Sequence, residues 1–291
     1  MIFLALSIVC STAIYAIFKL FKRFHIHTFQ AIVFNYFVAA GFGFWYANVN
    51  GYGTFDLGVP WLGIAAVVGV LFISLFYIMA LTSQSHGVSV TSIASKMSMV
   101  IPALFFILTD PAETAGVLKV SGILIGVLAV VLASARSGPR QKIAGVIWLP
   151  IILFVGSGLL DLLLAIAEKT HLQSDSAYQQ FIPVPFALAA ILGSVVLLFR
   201  LFSGKEKFHG RSILAGALLG MVNYGSIYFL LKVLGSDTFD TSSAIPANNM
   251  GVVALSALVG YAFFQERLSA KNRWGIILSL VAIGFLTLSN Q

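Results

Sequence analysis

Charge is what this sequence has least of. Of its 291 residues, 9% are Asp, Glu, Lys or Arg while 59% are hydrophobic; soluble globular domains average roughly 25% and 45–50%. So few charges cannot cover the surface of a water-soluble fold of this length. Cysteine is represented by Cys10 alone, which excludes an intrachain disulfide framework and a Cys-rich metal cluster. No Gly-rich phosphate loop is present, so ATP is not the expected energy source. There is no HExxH pair, and Asp161 has no second acid at membrane depth to make an aspartyl protease site. His25, His27, His86, His171 and His209 fall in or beside loops, so no Ser–His pair is expected within a membrane. His25 and His27 could bind metal, but a solvated basic loop is the plainer reading. An enzyme is disfavoured, and no cofactor is expected.

What the chain does have is long apolar runs. Crossing about 30 Å of hydrocarbon takes about 20 helical residues. Breaks at charges and turn residues predict ten spans, at roughly 2–20, 28–47, 60–82, 88–108, 115–134, 145–167, 176–200, 211–233, 242–264 and 273–289. The runs are apolar all round rather than alternating, so a transmembrane barrel is not expected. Residues 1–18 resemble a signal h-region but lack its basic leader, so they are read as the first span. The expected class is an all-α polytopic membrane protein with the lipid bilayer as its main partner.

The net charge of +7 would suggest nucleic acid in a soluble protein; here the basic residues lie in short loops and report orientation instead. Lys19, Lys22, Arg23, Arg136, Arg140, Lys142, Arg200, Lys205, Lys207, Arg211, Arg267, Lys271 and Arg273 fall on one side. The other side holds Lys119, Lys169 and Lys232, with Asp56, Asp110, Glu113, Glu168, Asp175, Asp237 and Asp240. The positive-inside rule makes the basic face cytoplasmic and both termini non-cytoplasmic. Trp45, Trp61, Trp148 and Trp274 near span ends fit an aromatic belt.

Self-comparison reveals a repeat. A shift of 153 residues superposes Ala94-Ser95-Lys96-Met97-Ser98 on Ala247-Asn248-Asn249-Met250-Gly251, and carries Glu113 onto Glu266 and Gly122 onto Gly275. A shift of 151 carries Gly69 onto Gly220 and Tyr77 onto Tyr228; about 149 carries Gln30 onto Gln179; 146 carries Ser11 onto Ser157. Residues 1–138 and 139–291 are therefore expected to be two five-helix units. An odd number of spans inverts the second unit, a hallmark of secondary transporters with a site near the midplane.

Phe264-Gln265-Glu266-Arg267-Leu268-Ser269, then Trp274-Gly275 and the apolar last span, resemble the Gly-Glu-Arg-Leu-Ser linker of the drug/metabolite transporter (DMT) superfamily, in its ten-helix EamA-type branch. Asp110-Pro111-Ala112-Glu113 before Gly122 is a weaker counterpart in the first half. Gln265 replaces the usual Gly, and the first linker lacks the Arg. The resemblance implies secondary transport of small metabolites or drugs, often export, and a bacterial inner membrane.

Polar residues within the spans are the candidate site. Lys96 lies about 12 Å into the fourth span, where a lysine costs about 2.5–3.5 kcal/mol and must face protein or a wet cavity. It could anchor an anionic group, form a structural ion pair or snorkel to the interface. Pro102 has no N–H to offer the Ser98 carbonyl. Asp161, after Gly156-Ser157-Gly158, could carry a coupling proton, meet a substrate amine, pair with Lys96 or be structural; its depth differs from that of Lys96 by about 9 Å. Asn248 and Asn249 stand at the repeat positions of Ser95 and Lys96, after Pro246, and offer amides for a ligand or for helix contacts. Asn223 and Asn35 complete the polar set, and Asn35, at the depth of Lys96, is also a candidate partner for it. Gln179 and Gln180 lie nearer the span end. Tyr77, Tyr228, Tyr224 and Tyr15 could frame a cavity or simply pack. The spacing of Gly216 with Gly220 and of Gly122 with Gly126 predicts close helix contacts.

The expectation is a ten-helix secondary transporter moving a small polar or amphipathic metabolite, such as an amino acid or related organic ion, through a central cavity by alternating access. Substrate-binding candidates are Lys96, Asp161, Asn223, Asn248, Asn249, Asn35 and Tyr77. Coupling to a proton is open, as is the oligomeric state. The alternatives are an exchanger of phosphorylated metabolites or nucleotide sugars, and a non-transporting membrane scaffold.

Overall fold

The computed structural model describes residues 1–52, 58–86, 94–111, 113, 116–133, 148–236, 239–264 and 269–289. These residues form helices and short connections, with no strand among them. The helices are α1 (Ile2–Arg23), α2 (Thr28–Val49), α3 (Leu62–His86), α4 (Val100–Thr109), α5 (Val117–Ala133), α6 (Trp148–His171), α7 (Asp175–Phe181), α8 (Pro183–Phe202), α9 (Arg211–Leu234), α10 (Thr241–Phe264) and α11 (Ala270–Leu288). Eight helical segments are long and apolar enough to cross a membrane, with α7 and α8 together making one of them. Two shorter apolar helices, Ala94–Thr109 and Val117–Leu132, accompany these. This is a helical membrane protein, the one architecture that satisfies backbone groups within each apolar segment.

Large apolar side chains stand exposed along the outside, among them Leu108, Val117, Phe199 and Phe202. In water such a surface would associate; against lipid tails it is solvated. With lipid outside, burial of apolar area cannot drive helices together, and close packing of small residues takes over. Ala31, Ala39, Ala65, Ala165, Ala167 and Ala189 are accordingly fully enclosed. The Gly216 and Gly220 pair does what its spacing predicts. A Cβ built at Gly216 would lie 2.6 Å from the Ala31 carbonyl, and one at Gly220 would lie 2.5 Å from that of Asn35. Gly122 and Gly126 similarly admit Leu286 and Met250.

Helix α10 is the centre of the fold, with residues 241–254 all buried. It touches α1, α4, α5, α9 and α11. Around it α2 packs on α8 and α9, α3 on α6 and α8, α1 on α9, α4 on α6, and α5 on α11. The final serine of the linker motif has a local job: Ser269 caps α11, its hydroxyl accepting from the Asn272 N–H while the Asn272 amide oxygen accepts from the Ser269 N–H. Residues 265–268 of that motif, including Glu266, lie outside the described residues.

Two interruptions were set by proline. Ile182 separates α7 from α8, and Pro183 and Pro185 open α8 without amide donors. The second interruption bears on the site below.

Candidate functional site

The helical residues 94–97 do not run straight into α4. Ser98 and Met99 form a turn between them. Pro102 has no N–H, so the Ser98 carbonyl accepts from Ile101 instead, at 2.9 Å, and Met99 N–H reaches back to the Lys96 carbonyl. The Ser98 hydroxyl donates to the Ser95 carbonyl at 2.6 Å. These bonds close over three residues rather than four, which tightens and bends the chain. Lys96 sits on the last helical turn before this break.

From that position Lys96 Nζ donates to Asn249 Oδ1 at 3.0 Å. The other end of the same amide donates from Nδ2 to Asp161 Oδ2 at 3.4 Å. Asn249 thus stands between cation and carboxylate and spans their difference in depth. Neither charge is sealed: Lys96 and Asp161 are half-buried, while Asn249 is buried on α10. On the side of α1, Lys96 Nζ lies 5.9 Å from the centre of the Tyr15 ring, within cation–π range. Ser157, one turn before Asp161, donates its hydroxyl to that of Ser95 at 3.4 Å. Asn248 is buried beside the chain, and its Oδ1 accepts no hydrogen bond among the described residues.

Of the sequence candidates, Lys96, Asp161 and Asn249 therefore come together, from the helical turn before α4, from α6 and from α10, while Asn248 is buried next to Asn249 on α10. Asn35 and Asn223 do not join them. Asn223 Nδ2 donates to Asn35 Oδ1 at 3.0 Å, and Asn35 Nδ2 donates to the Ile32 carbonyl at 3.2 Å. Asn35, a candidate partner for Lys96 by depth, is instead the partner of Asn223 in the glycine-lined seam between α2 and α9. Depth places a residue along a helix but leaves its direction around the axis open. Tyr77 is elsewhere too: its hydroxyl accepts from Arg200 Nη2 at 3.0 Å, and its ring meets Phe29 edge-on.

Sequence reasoning missed a buried cation. Lys119, counted above with the charges of the acid-rich face, is 1% exposed and is held by Asp240 at 2.5 Å and Glu113 at 3.5 Å. Its place beside a turn made it look solvated.

No protein-family model matches the chain. An uncharacterized protein of Haemophilus influenzae is 27% identical over 286 residues, covering 96% of this chain and 95% of that one. A solved crystal structure superposes with a TM-score of 0.73 over 99% of this chain and 96% of its own, at 13% identity. That likeness speaks to the fold.

Proposed function

We propose that the chain is a ten-helix secondary transporter of the DMT, EamA-like type, built from two inverted five-helix repeats (residues 1–138 and 139–291). Its substrate is a small polar or amphipathic metabolite bound at the Lys96–Asn249–Asp161 chain. One observation carries the reading. The Lys96–Asn249 hydrogen bond joins residues 153 apart, the offset at which the two halves superpose in sequence. The offset that carries Ser11 onto Ser157 likewise carries Tyr15 onto Asp161. The site is thus assembled from equivalent positions of both repeats, and its two flanking contacts, Lys96 with Tyr15 and Asn249 with Asp161, exchange under the repeat.

Helix packing supports the same symmetry. Exchange of each helix with its counterpart turns the α1–α9 contact into α6–α3, α1–α10 into α6–α4, and α2–α9 into α8–α3. Inverted repeats give two exchangeable packings around a fixed midplane site, which is alternating access. The helix break at Ser98 and Met99 fits it, because irregular backbone at membrane depth is tolerated where it is packed or lines a cavity. A carboxylate one amide away from the lysine disfavours a doubly charged phosphate and favours a ligand with both a negative and a polar or positive end. The basic face is cytoplasmic in this reading, with both termini non-cytoplasmic, in a bacterial inner membrane.

A thermal-shift screen of the purified protein against a metabolite library, with Lys96→Met beside it, tests the proposal. A ligand at 100 times its dissociation constant stabilises by about 2.7 kcal/mol. The expected result is a hit lost in Lys96→Met. A library without a hit, together with no flux in reconstituted vesicles, favours a scaffold and ends the transport reading.

A further inference from the structure

The helices that carry the site are tied together at their acid-rich ends. Asp110, just past α4, pairs with Lys169 near the end of α6; these helices belong to different repeats, and α6 carries Asp161. Lys119 on α5 pairs with Asp240, just before α10, at 2.5 Å. Glu113 joins this second clasp twice over. Its Oε2 lies 3.5 Å from Lys119 Nζ, and its Oε1 accepts from the Ser242 N–H in the first turn of α10, the helix of Asn249. The side chains of Lys119 and Glu113 are 2% and 4% exposed. The third lysine of this face, Lys232, pairs with Asp175 within the second repeat.

Lysines on an otherwise acidic face need no partner in another repeat to be soluble. Here two of the three reach across: Lys169, on the helix of Asp161, meets the end of α4, which follows Lys96 past the break, and Lys119 meets the start of the helix of Asn249. The basic face is joined differently, at α2, α3, α8 and the 203–210 segment: Arg200 meets Tyr77, Gln30 Nε2 donates to the Lys207 carbonyl, and the His209 N–H donates to Gln30 Oε1. The ties just named hold helices that do not bear Lys96, Asp161 or Asn249; the helix of Asn249 meets this face through an aromatic contact, with Lys19 Nζ of α1 lying 4.3 Å from the centre of the Phe264 ring.

We propose that Asp110–Lys169 and the Lys119–Asp240–Glu113 cluster form the latch that closes the site to the acid-rich face, so that opening toward that side requires both to part. The proposal rests on the transport reading above. Ion pairs suit the task because each is a discrete contact that is either made or broken, and packed interfaces switch between arrangements rather than stretch.

The test uses full-length protein in membranes, with Cys10→Ser and a single reporter, Ser95→Cys, beside Lys96. A membrane-impermeant thiol reagent is applied from either face, in intact cells and in inverted vesicles. Neutralising one clasp with Asp110→Asn and Lys169→Gln is expected to speed labelling from the acid-rich face by about tenfold, the size of a modest population shift. Lys119→Met with Asp240→Asn opens the second clasp. The charge-swapped Asp110→Lys with Lys169→Asp returns the rate toward the parent's. Monodisperse elution in detergent checks folding, and the partly exposed Asp110–Lys169 pair keeps the test alive if the buried cluster cannot be changed. Unchanged labelling from the acid-rich face, with the reporter reached from the basic face, overturns the latch and leaves the transport reading standing. No labelling from either face in parent or variants overturns both.

Discussion

Among the polar clusters inside this helical assembly, two answer the membrane in different ways. Asn35 and Asn223 face each other across the seam where α2 and α9 approach closely, 0% and 4% exposed. One amide donates to the other, which donates to a backbone carbonyl. The pair is neutral, and both of its hydrogen bonds are made within the protein. Lys96, Asn249 and Asp161 form a chain with a charge at each end, beside a bent helix, with both charges half-buried. A neutral amide pair can be closed off with little loss. A charged chain within a bilayer must be kept near water, protein dipoles or a ligand, because the cost of isolating it is several times larger. The difference separates a polar contact that glues helices from one that has capacity left for another molecule.

Ligand response is where the contrast should be largest. Lys96→Met is expected to weaken binding of a hit from the thermal screen by about 100-fold, within the 2–5 kcal/mol range for loss of one partner from a buried charged contact. Asn35→Ala should leave the same affinity within about threefold, a change under 1 kcal/mol. Titration calorimetry on both variants decides it. Equal losses would dissolve the distinction between the clusters.

The seam should show its importance in stability instead. Gly220→Val would force a side chain against the Asn35 carbonyl and the Val38 Cβ, which lies 2.9 Å from the position a Cβ would take. Overpacking of this kind costs about 1–3 kcal/mol, read as a lower unfolding temperature in detergent. The neighbouring Asn223→Ala should cost about 0.6 kcal/mol, the average for an interhelical hydrogen bond in a membrane. A ligand response that fell with Gly220→Val more than its stability did would tie the seam to the site.

What the sequence made legible follows from what periodicity and offset encode. Apolar length located the eight long helices to within about four residues, since insertion depends on summed hydropathy; the expected start of the fourth span, at 88, lies outside the described residues. The 153-residue offset was visible in one dimension, and the Lys96–Asn249 contact joins residues at that same offset. Lys96, Asp161, Asn248 and Asn249 were nameable because polar residues in apolar runs are costly. Partners were not nameable: Asn35 turned to Asn223, and Asn249 came between Lys96 and Asp161, because rotation about a helix axis leaves no trace in depth. Tyr15 was named among four tyrosines that could frame a cavity but was left out of the binding candidates, although its offset to Asp161 was the signal that could have raised it. Lys119 was placed on the acid-rich face but its burial was not foreseen, because the enclosure by Glu113 and Asp240 comes from residues far apart in the chain or across a turn.

Tyr77 offers the smallest and sharpest separation. It matched Tyr228 in the repeat and so entered the candidate set with the site residues. In the fold its hydroxyl serves Arg200, whose guanidinium also stacks on the Tyr77 and Phe29 rings and pairs with Glu206 at 2.9 Å. Tyr77→Phe removes one acceptor from a partly exposed arginine that keeps its carboxylate and both rings. Contacts of this exposure are worth roughly 0.2–1 kcal/mol, so the unfolding temperature should barely move and ligand affinity not at all. A tenfold loss of affinity in Tyr77→Phe would instead mean that the bound ligand reaches the α3–α8 region, and that the site extends from the Lys96 chain toward the basic face.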